Sequence, residues 1–407
     1  MYNFFPFTTI HNQPMFNTQF YKDKSIIVYS LLMTLFAVLF VSVELNNGKL
    51  YANDFKVYYE ATKDFFSGNN PYVHSYGLDT GYFKYPPTTL LFFAPATFLS
   101  FSVVKIIHII IIYLSLIVAF PLWQRMITRV FEVKAPNWLL SLAFFVIAIH
   151  LTREFHMGNV NVLLLLSFVL GAWFYHKESF YKSSFFYGMM LILKPIMILV
   201  VIPILLFRNW KMIALLTGWG MVFLFGPIVF CGWKTNWSLW EGWINSITSH
   251  GEYISNPSSL QFLIPNLFGM THSWVPSLIG LVLLLVLWFK IDGKDYSNIK
   301  SFWFWSVVFL GFIPNFFVTD SQHFLISIPT VMTLLLFISN LKNKFMWIAY
   351  CFGMLLFSFD SMDLWGRTLS SKFTEWGILG IGNLIFIVSI LYVWSKQKSI
   401  DATSYNL

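Results

Sequence analysis

Asp54 lies shortly beyond the first long apolar run, and an aromatic amphipathic segment, a GNNPY turn at residues 68–72 and a YPP turn at 85–87 follow it. A carboxylate placed there can take the proton of an attacking hydroxyl, general-base work typically worth about a hundred- to ten-thousand-fold in rate. The plainer alternative is a helix start, with Asn53 or Asp54 capping backbone N–H groups. Farther along the chain stand three residues of the types that grip phosphate: Arg153 as a bidentate fork, Lys194 as a point charge and His323 through a ring nitrogen. Each has a structural reading too: Lys194 paired with a buried carboxylate, Arg153 satisfied by Glu154, His323 opening a helix after Asp320 and Ser321. The GNVN segment at 158–161 carries Asn159 and Asn161 and reads as a helix N-terminus with an asparagine cap, a place that also attracts anions.

These residues must be positioned by a chain that is 57% hydrophobic, 20% aromatic and only 11% charged. That composition excludes an ordinary soluble domain, in which roughly a quarter of residues are charged. Apolar runs long enough for about 30 Å of hydrocarbon recur from residue 25 to residue 394, so one integral membrane domain covering 1–407 is expected. The first run is too long for a signal-peptide core and lacks a small-residue cleavage site, so it reads as a retained helix. The formal charge of +8 does not point to nucleic acid, because the basic residues sit in short clusters at the ends of apolar runs. Cys231 and Cys351 fall in or beside apolar runs, where packing is their expected role.

Placing every basic cluster on the cytoplasmic side predicts about twelve crossings with both termini inside. Residues 87–100 are too short to span and contain Pro95, so they read as a juxtamembrane or re-entrant helix in a first outer loop at 45–102. Lys194-Pro195 interrupts the stretch 180–207, which therefore reads as two short crossings meeting at Lys194. A second long outer loop is expected at 232–273, with the tryptophan-rich segment 233–243 lying in the interface and 255–261 walling an acceptor groove. With this parity one outer face collects Asp54, Glu60, Asp64, Lys84, Tyr85, Arg153, Glu154, His156, Asn159, Asn161, Lys194, Asp320, Gln322 and His323. Ionisable groups kept near hydrocarbon cost about 2.5–3.5 kcal/mol at mid-bilayer, which argues for a functional site. No paired residues with metal-ligand spacing and no phosphate-loop motif for nucleotides occur in the outer loops, so neither a metal nor another cofactor is expected.

With these motifs in order, the chain resembles glycosyltransferase family 87, the polyprenyl-phosphate-mannose-dependent mannosyltransferases of the GT-C superfamily. The matching pieces are Asp54 with the following DF..YY, GNNPY, YPP, GNVN, the LKP of residues 193–195 followed by RNWK, and SQHFLISIP at 321–329. The resemblance implies an all-α, multi-pass GT-C fold in the plasma membrane and an extracytoplasmic site. It implies transfer of a hexose, mannose first, from a polyprenyl-phosphate donor to a hydroxyl of a glycan or glycolipid, with inversion. Asp54 then corresponds to the catalytic base, and Lys194 and His323, with Arg153, to the donor-phosphate residues. Asn159 and Asn161 match the cavity rim, where the family usually carries glutamine at the position of Asn159; Tyr85, Glu154 and Gln322 complete the expected cavity. Two other readings remain open here: a transporter or lipid flippase, and a lipid-linked polysaccharide ligase or polymerase.

Overall fold

The structure is a computed structural model and describes residues 23–76, 81–248, 259–270, 274–293, 295–316, 321–341, 343–359 and 361–404. The chain is an all-α multi-pass membrane protein. Its helices are α1 Lys24–Asn46, α2 Asn53–Phe66, α3 Pro87–Phe93, α4 Phe101–Phe131, α5 Leu139–Met157, α6 Asn161–His176, α7 Phe180–Leu193, α8 Val201–Leu206, α9 Trp210–Phe225, α10 Ile228–Thr248, α11 Leu260–Phe268, α12 Trp274–Ile291, α13 Ile299–Phe316, α14 Ile328–Leu341, α15 Lys344–Phe357, α16 Met362–Glu375 and α17 Ile378–Ser404. Among the described residues seven helices are long and apolar enough to cross a bilayer, and α9 with α10, bent by 76°, would make an eighth span.

Seven or eight such spans fall short of the about twelve crossings expected, because several expected crossings are occupied by short helices. Helix α7 has 14 residues, about 21 Å at 1.5 Å per residue, less than the roughly 30 Å of hydrocarbon. It stops where Pro195 forbids a continued ladder: Lys194 is extended, and a 3-10 turn, Pro195–Val200, leads into α8. Residues 87–98 likewise form short α3 followed by a 3-10 turn, Ala94–Phe98, rather than a crossing. Gly232 (φ 76°) breaks the helical path within α10, so the tryptophan-rich segment departs from the direction of α9.

Burial sorts the helices. Helix α1 buries one stripe, Ser25, Tyr29, Met33 and Ala37, each four residues from the last, and turns its other apolar faces outward. Helix α13 is buried on every side. Its Gly311 lets α14 approach so closely that a Cβ there would collide with Thr330, the small-residue contact by which membrane helices pack. The packing role read for Cys351 does not hold: it is exposed on the face of α15 that also turns Ile348, Phe352 and Leu355 outward, a surface suited to lipid.

The two ends of the bundle differ. At one end α5, α7 and α13 finish and α2 and α6 begin. At the other, Asn209 bonds Tyr175 at 2.8 Å, Lys300 meets Glu132 at 3.1 Å and Arg208 lies 4.2 Å from the Tyr296 ring. Asp292 anchors α17 at this second end. One carboxylate oxygen accepts from Lys398 and Ser301, the other from the indoles of Trp305 and Trp394, all at 2.8 Å. Burial alone would raise the Asp292 pKa; the bonds from Lys398, Trp394, Trp305 and Ser301 outweigh it and hold the carboxyl below its usual range. Asp292→Ala is therefore expected to destabilise by about 3–5 kcal/mol at neutral pH, because it strands a partly buried ammonium. The sign of the pH dependence follows from a depressed pKa: the contribution is complete above the ordinary carboxylate value and is lost as pH falls through the depressed one. Thermal unfolding in detergent should show the wild-type advantage at pH 7 and its narrowing in acid.

Candidate active site

The site is built on a strained junction. Before α2, Ala52 takes the left-handed conformation (φ 49°) and donates its N–H to the carbonyl of His156 at 3.0 Å. After α5, Gly158 is also left-handed (φ +63°), and a Cβ on it would lie 3.0 Å from that of Phe55 and 3.1 Å from that of Ala52. Only glycine combines that backbone with that proximity. His108 of α4 completes the clamp, bonding the Gly158 carbonyl at 2.9 Å and stacking on Phe55 with ring centres 4.1 Å apart. Beside the same junction His156 pairs with Glu44 at 2.6 Å.

This junction brings Asp54 against the link between α5 and α6. Asp54 is a first-turn residue of α2, and the capping position belongs to Ala52, which makes no side-chain cap; the reading of Asn53 or Asp54 as the cap is thus set aside. Asn159 donates to Asp54 Oδ2 at 2.5 Å, and its own Oδ1 accepts the N–H of Val160 at 2.7 Å. Gln322 Nε2 lies 3.5 Å from the same Asp54 oxygen.

The second half of the site is cationic. Glu154, fully buried, accepts the backbone N–H of Val162 at 3.0 Å and the amide of Asn161 at 2.9 Å. A carboxylate from α5 thereby supplies the side-chain acceptor at the start of α6, and the expected asparagine cap is corrected: Val160 holds that position without a side-chain bond. Asn161 turns its carbonyl oxygen to the Lys194 ammonium at 2.9 Å. Lys194, 8% exposed, is also in hydrogen-bond contact with His323 Nε2. An ammonium can only donate, so Nε2 is the acceptor. Asn159 and Gln322 thus meet Asp54, and Asn161 and His323 meet Lys194; the two halves are joined along the backbone, through Val160 between the asparagines and directly from Gln322 to His323.

The remaining expected residues border this group. Tyr85 lies under Lys194, ring centre 5.7 Å from Nζ, and its hydroxyl meets that of Tyr58 at 2.8 Å. Tyr58 was not singled out from sequence, although it stands one helical turn after Asp54 in DF..YY. Burial, then the neighbouring Tyr85 and Asp54, raise its pKa and keep the hydroxyl protonated. Arg153 bonds Ser321, at the start of the 3-10 turn Ser321–Ser327 that carries Gln322 and His323; Glu154 engages Asn161 and Val162 as above. Trp243 of α10 donates to the Lys84 carbonyl at 2.9 Å, so the tryptophan-rich helix packs on the first loop. In that loop Asp64 gathers Tyr76 at 2.8 Å and His74 at 3.0 Å. Asp320, residues 255–258 of the expected acceptor wall and the N-terminal lead-in 1–22 lie outside the described residues. Among the described residues no group of three or more His, Cys, Asp or Glu is placed to hold a metal.

An apolar cavity of about 620 Å³ adjoins the Lys194 break, lined by Gly188, Leu191, Pro195, Ile213 and Trp219 among others, with the exposed Ile198 and Met221 at its margin. The Lys194 amine is thus held by a carbonyl oxygen and an imidazole, the Asp54 carboxylate is approached by two amides, and an apolar space adjoins the neighbouring Pro195.

Comparisons with known proteins identify the family. Residues 83–313, more than half of the chain, match glycosyltransferase family 87. The chain belongs to this family and is a membrane glycosyltransferase. Lys194 and the GNVN segment fall inside the matched stretch, whereas Asp54 and His323 fall outside it. The chain is also 23% identical, over 377 residues, to an alpha-(1->3)-arabinofuranosyltransferase of Corynebacterium glutamicum, covering 87% of this chain and 84% of that protein.

Gly158→Ala tests the junction. It is expected to cost about 1–3 kcal/mol of stability through the forced left-handed alanine, and to lower transferase activity at temperatures where the protein remains folded. Thermal unfolding and turnover measured on the same preparation check both effects.

Proposed function

We propose that this protein transfers a sugar from a polyprenyl-phosphate carrier to an acceptor hydroxyl on the extracytoplasmic side of the plasma membrane. The observation that carries the reading is the convergence of residues distant in sequence: Asn159 and Gln322 meet Asp54, while Asn161 and His323, two residues and one residue along the chain from them, meet Lys194. Asp54 takes the acceptor's hydroxyl proton as the oxygen attacks the anomeric carbon from the face opposite the phosphate. The bond from that carbon to the phosphate oxygen breaks, and its electron pair leaves with the polyprenyl phosphate. The sugar is inverted. Lys194 and His323 stabilise the leaving phosphate, an electrostatic role that strengthens where water is excluded; Arg153 supports them through the turn it holds at Ser321.

The cavity beside Pro195 supports entry of the lipid tail from the side. The basic residues Glu132-bound Lys300, Arg208 and Lys177 gather at the end of the bundle away from Asp54, which supports an extracytoplasmic site and cytoplasmic termini by the positive-inside rule. The proposed donor sugar is a hexose, mannose first. A pentofuranose is the second reading, favoured by the name of the corynebacterial relative.

Purified protein in liposomes, offered polyprenyl-phosphate-mannose and polyprenyl-phosphate-arabinose in separate reactions with a glycolipid acceptor extract, tests both. Transfer or donor hydrolysis from one of them is expected, and the sugar released identifies which. Asp54→Asn should lower turnover by about a hundred- to ten-thousand-fold with thermal unfolding unchanged; undiminished turnover would remove the base. For Lys194→Ala weakened donor binding is expected, and an unaltered donor affinity would make the lysine structural.

A further inference from the structure

At the end of the bundle away from Asp54, α4 and α6 finish and α7 begins around one buried indole. Trp173, 1% exposed, has the Arg125 guanidinium 5.8 Å from its ring centre, that of Arg129 at 5.5 Å and the Lys177 ammonium at 5.3 Å. Lys182, on the first turn of α7, lies 5.5 Å from the neighbouring Phe174 ring. Arg125 and Arg129 are one helical turn apart on α4, a like-charge spacing that disfavours the helix. The acids of these segments are Glu132, which Lys300 engages, and Glu178, so the four basic side chains outnumber the acids even with Glu178 among them. Burial lowers the Lys177 pKa, and Arg129, Arg125 and Lys182 press it in the same direction. Such a concentration of positive charge is stabilised when an anion shares it.

We propose that Arg125, Arg129, Lys177 and Lys182 bind the phosphate of an anionic phospholipid head group, at the membrane face opposite the glycosyl-transfer site. The 16 residues of α6, about 24 Å at helical rise, separate this cluster from Asn161, so the phosphate it takes is not the donor's. A lipid fits better than a soluble anion because the cluster is continued by apolar surface. Tyr181 and Phe185 are exposed on α7 beside Lys182, and Phe174 stacks on Phe186 with centres 5.6 Å apart, an acyl-chain track leading away from the charges. The site would tie α4, α6 and α7 together at the inner leaflet, and these helices carry at or near their other ends the segments bearing His108, Asn161 and Lys194.

The full chain in uncharged detergent, titrated with phosphatidylglycerol, phosphatidylcholine or inorganic phosphate and followed by thermal unfolding, tests the proposal. Phosphatidylglycerol should raise the unfolding temperature saturably, and phosphatidylcholine should not. In Arg129→Gln/Lys177→Gln the phosphatidylglycerol affinity should fall at least about tenfold, while Lys344→Gln/Lys396→Gln, which removes the same charge outside the cluster, should retain it. Should the double variant fail to fold, Lys182→Gln at the exposed edge is expected to weaken binding severalfold. An equal response to both lipids, an unchanged affinity in the cluster variants, or saturation by inorganic phosphate at the same concentration would each overturn the assignment.

Discussion

One amide joins a buried carboxyl group to a buried amine. Asn161 gives its N–H to Glu154 and its carbonyl oxygen to Lys194, at 2.9 Å in each case. A charge on either group, left unpaired, would be penalised by several kcal/mol. Interposing a neutral amide keeps them from collapsing into a direct ion pair, and that separation matters chemically. A lysine locked onto a carboxylate is a poor phosphate binder, whereas one held by a carbonyl oxygen and an imidazole retains its positive charge for an incoming anion. Asn161 suits the position because its orientation is set at both ends: reversing the amide would turn N–H toward the ammonium and oxygen toward the carboxylate.

From that bridge the rest of the site can be followed outward. Glu154 also receives the Val162 N–H, so the same carboxylate that balances Lys194 starts α6 at the right height. Lys194 lies at the Pro195 break, where its side chain reaches into the bundle from a segment that is no longer helical. His323 comes from a 3-10 turn whose first residue is tied to Arg153, and Gln322 beside it reaches back to Asp54. The groups proposed to stabilise a leaving phosphate are therefore assembled without a donor, the condition under which fixed dipoles and charges lower a barrier most effectively.

Much of this was legible in the sequence because membranes restrict the options. Basic residues at the ends of apolar runs gave the parity that puts Asp54, Lys194 and His323 at one end, and Pro195 marked the break that presents Lys194. Other parts depended on contacts that have no local signature. The left-handed Ala52 could not be foreseen, since alanine carries no preference for that conformation, and its strain makes sense only once the glycine at 158 is seen packed against it. GNVN suggested an asparagine cap, but the acceptor came from Glu154, seven residues before Asn161 and across a turn. The departure of the tryptophan-rich segment from α9, by contrast, has a local sign in Gly232, the residue at which the helical path breaks.

Asn159 shows what a short amide can do that a longer one cannot. Its side chain bonds Asp54 with its N–H and the next backbone N–H with its oxygen. Both of its polar ends are thereby engaged within one turn of chain, which leaves it suited to orienting the carboxylate rather than to extending toward a phosphate. The amide of Gln322 approaches the same carboxylate oxygen from another helix, so the plane of Asp54 is defined by two donors with independent supports. In the role proposed for it, a carboxylate fixed in this way loses little freedom when an acceptor binds, and its positioning is provided by the fold.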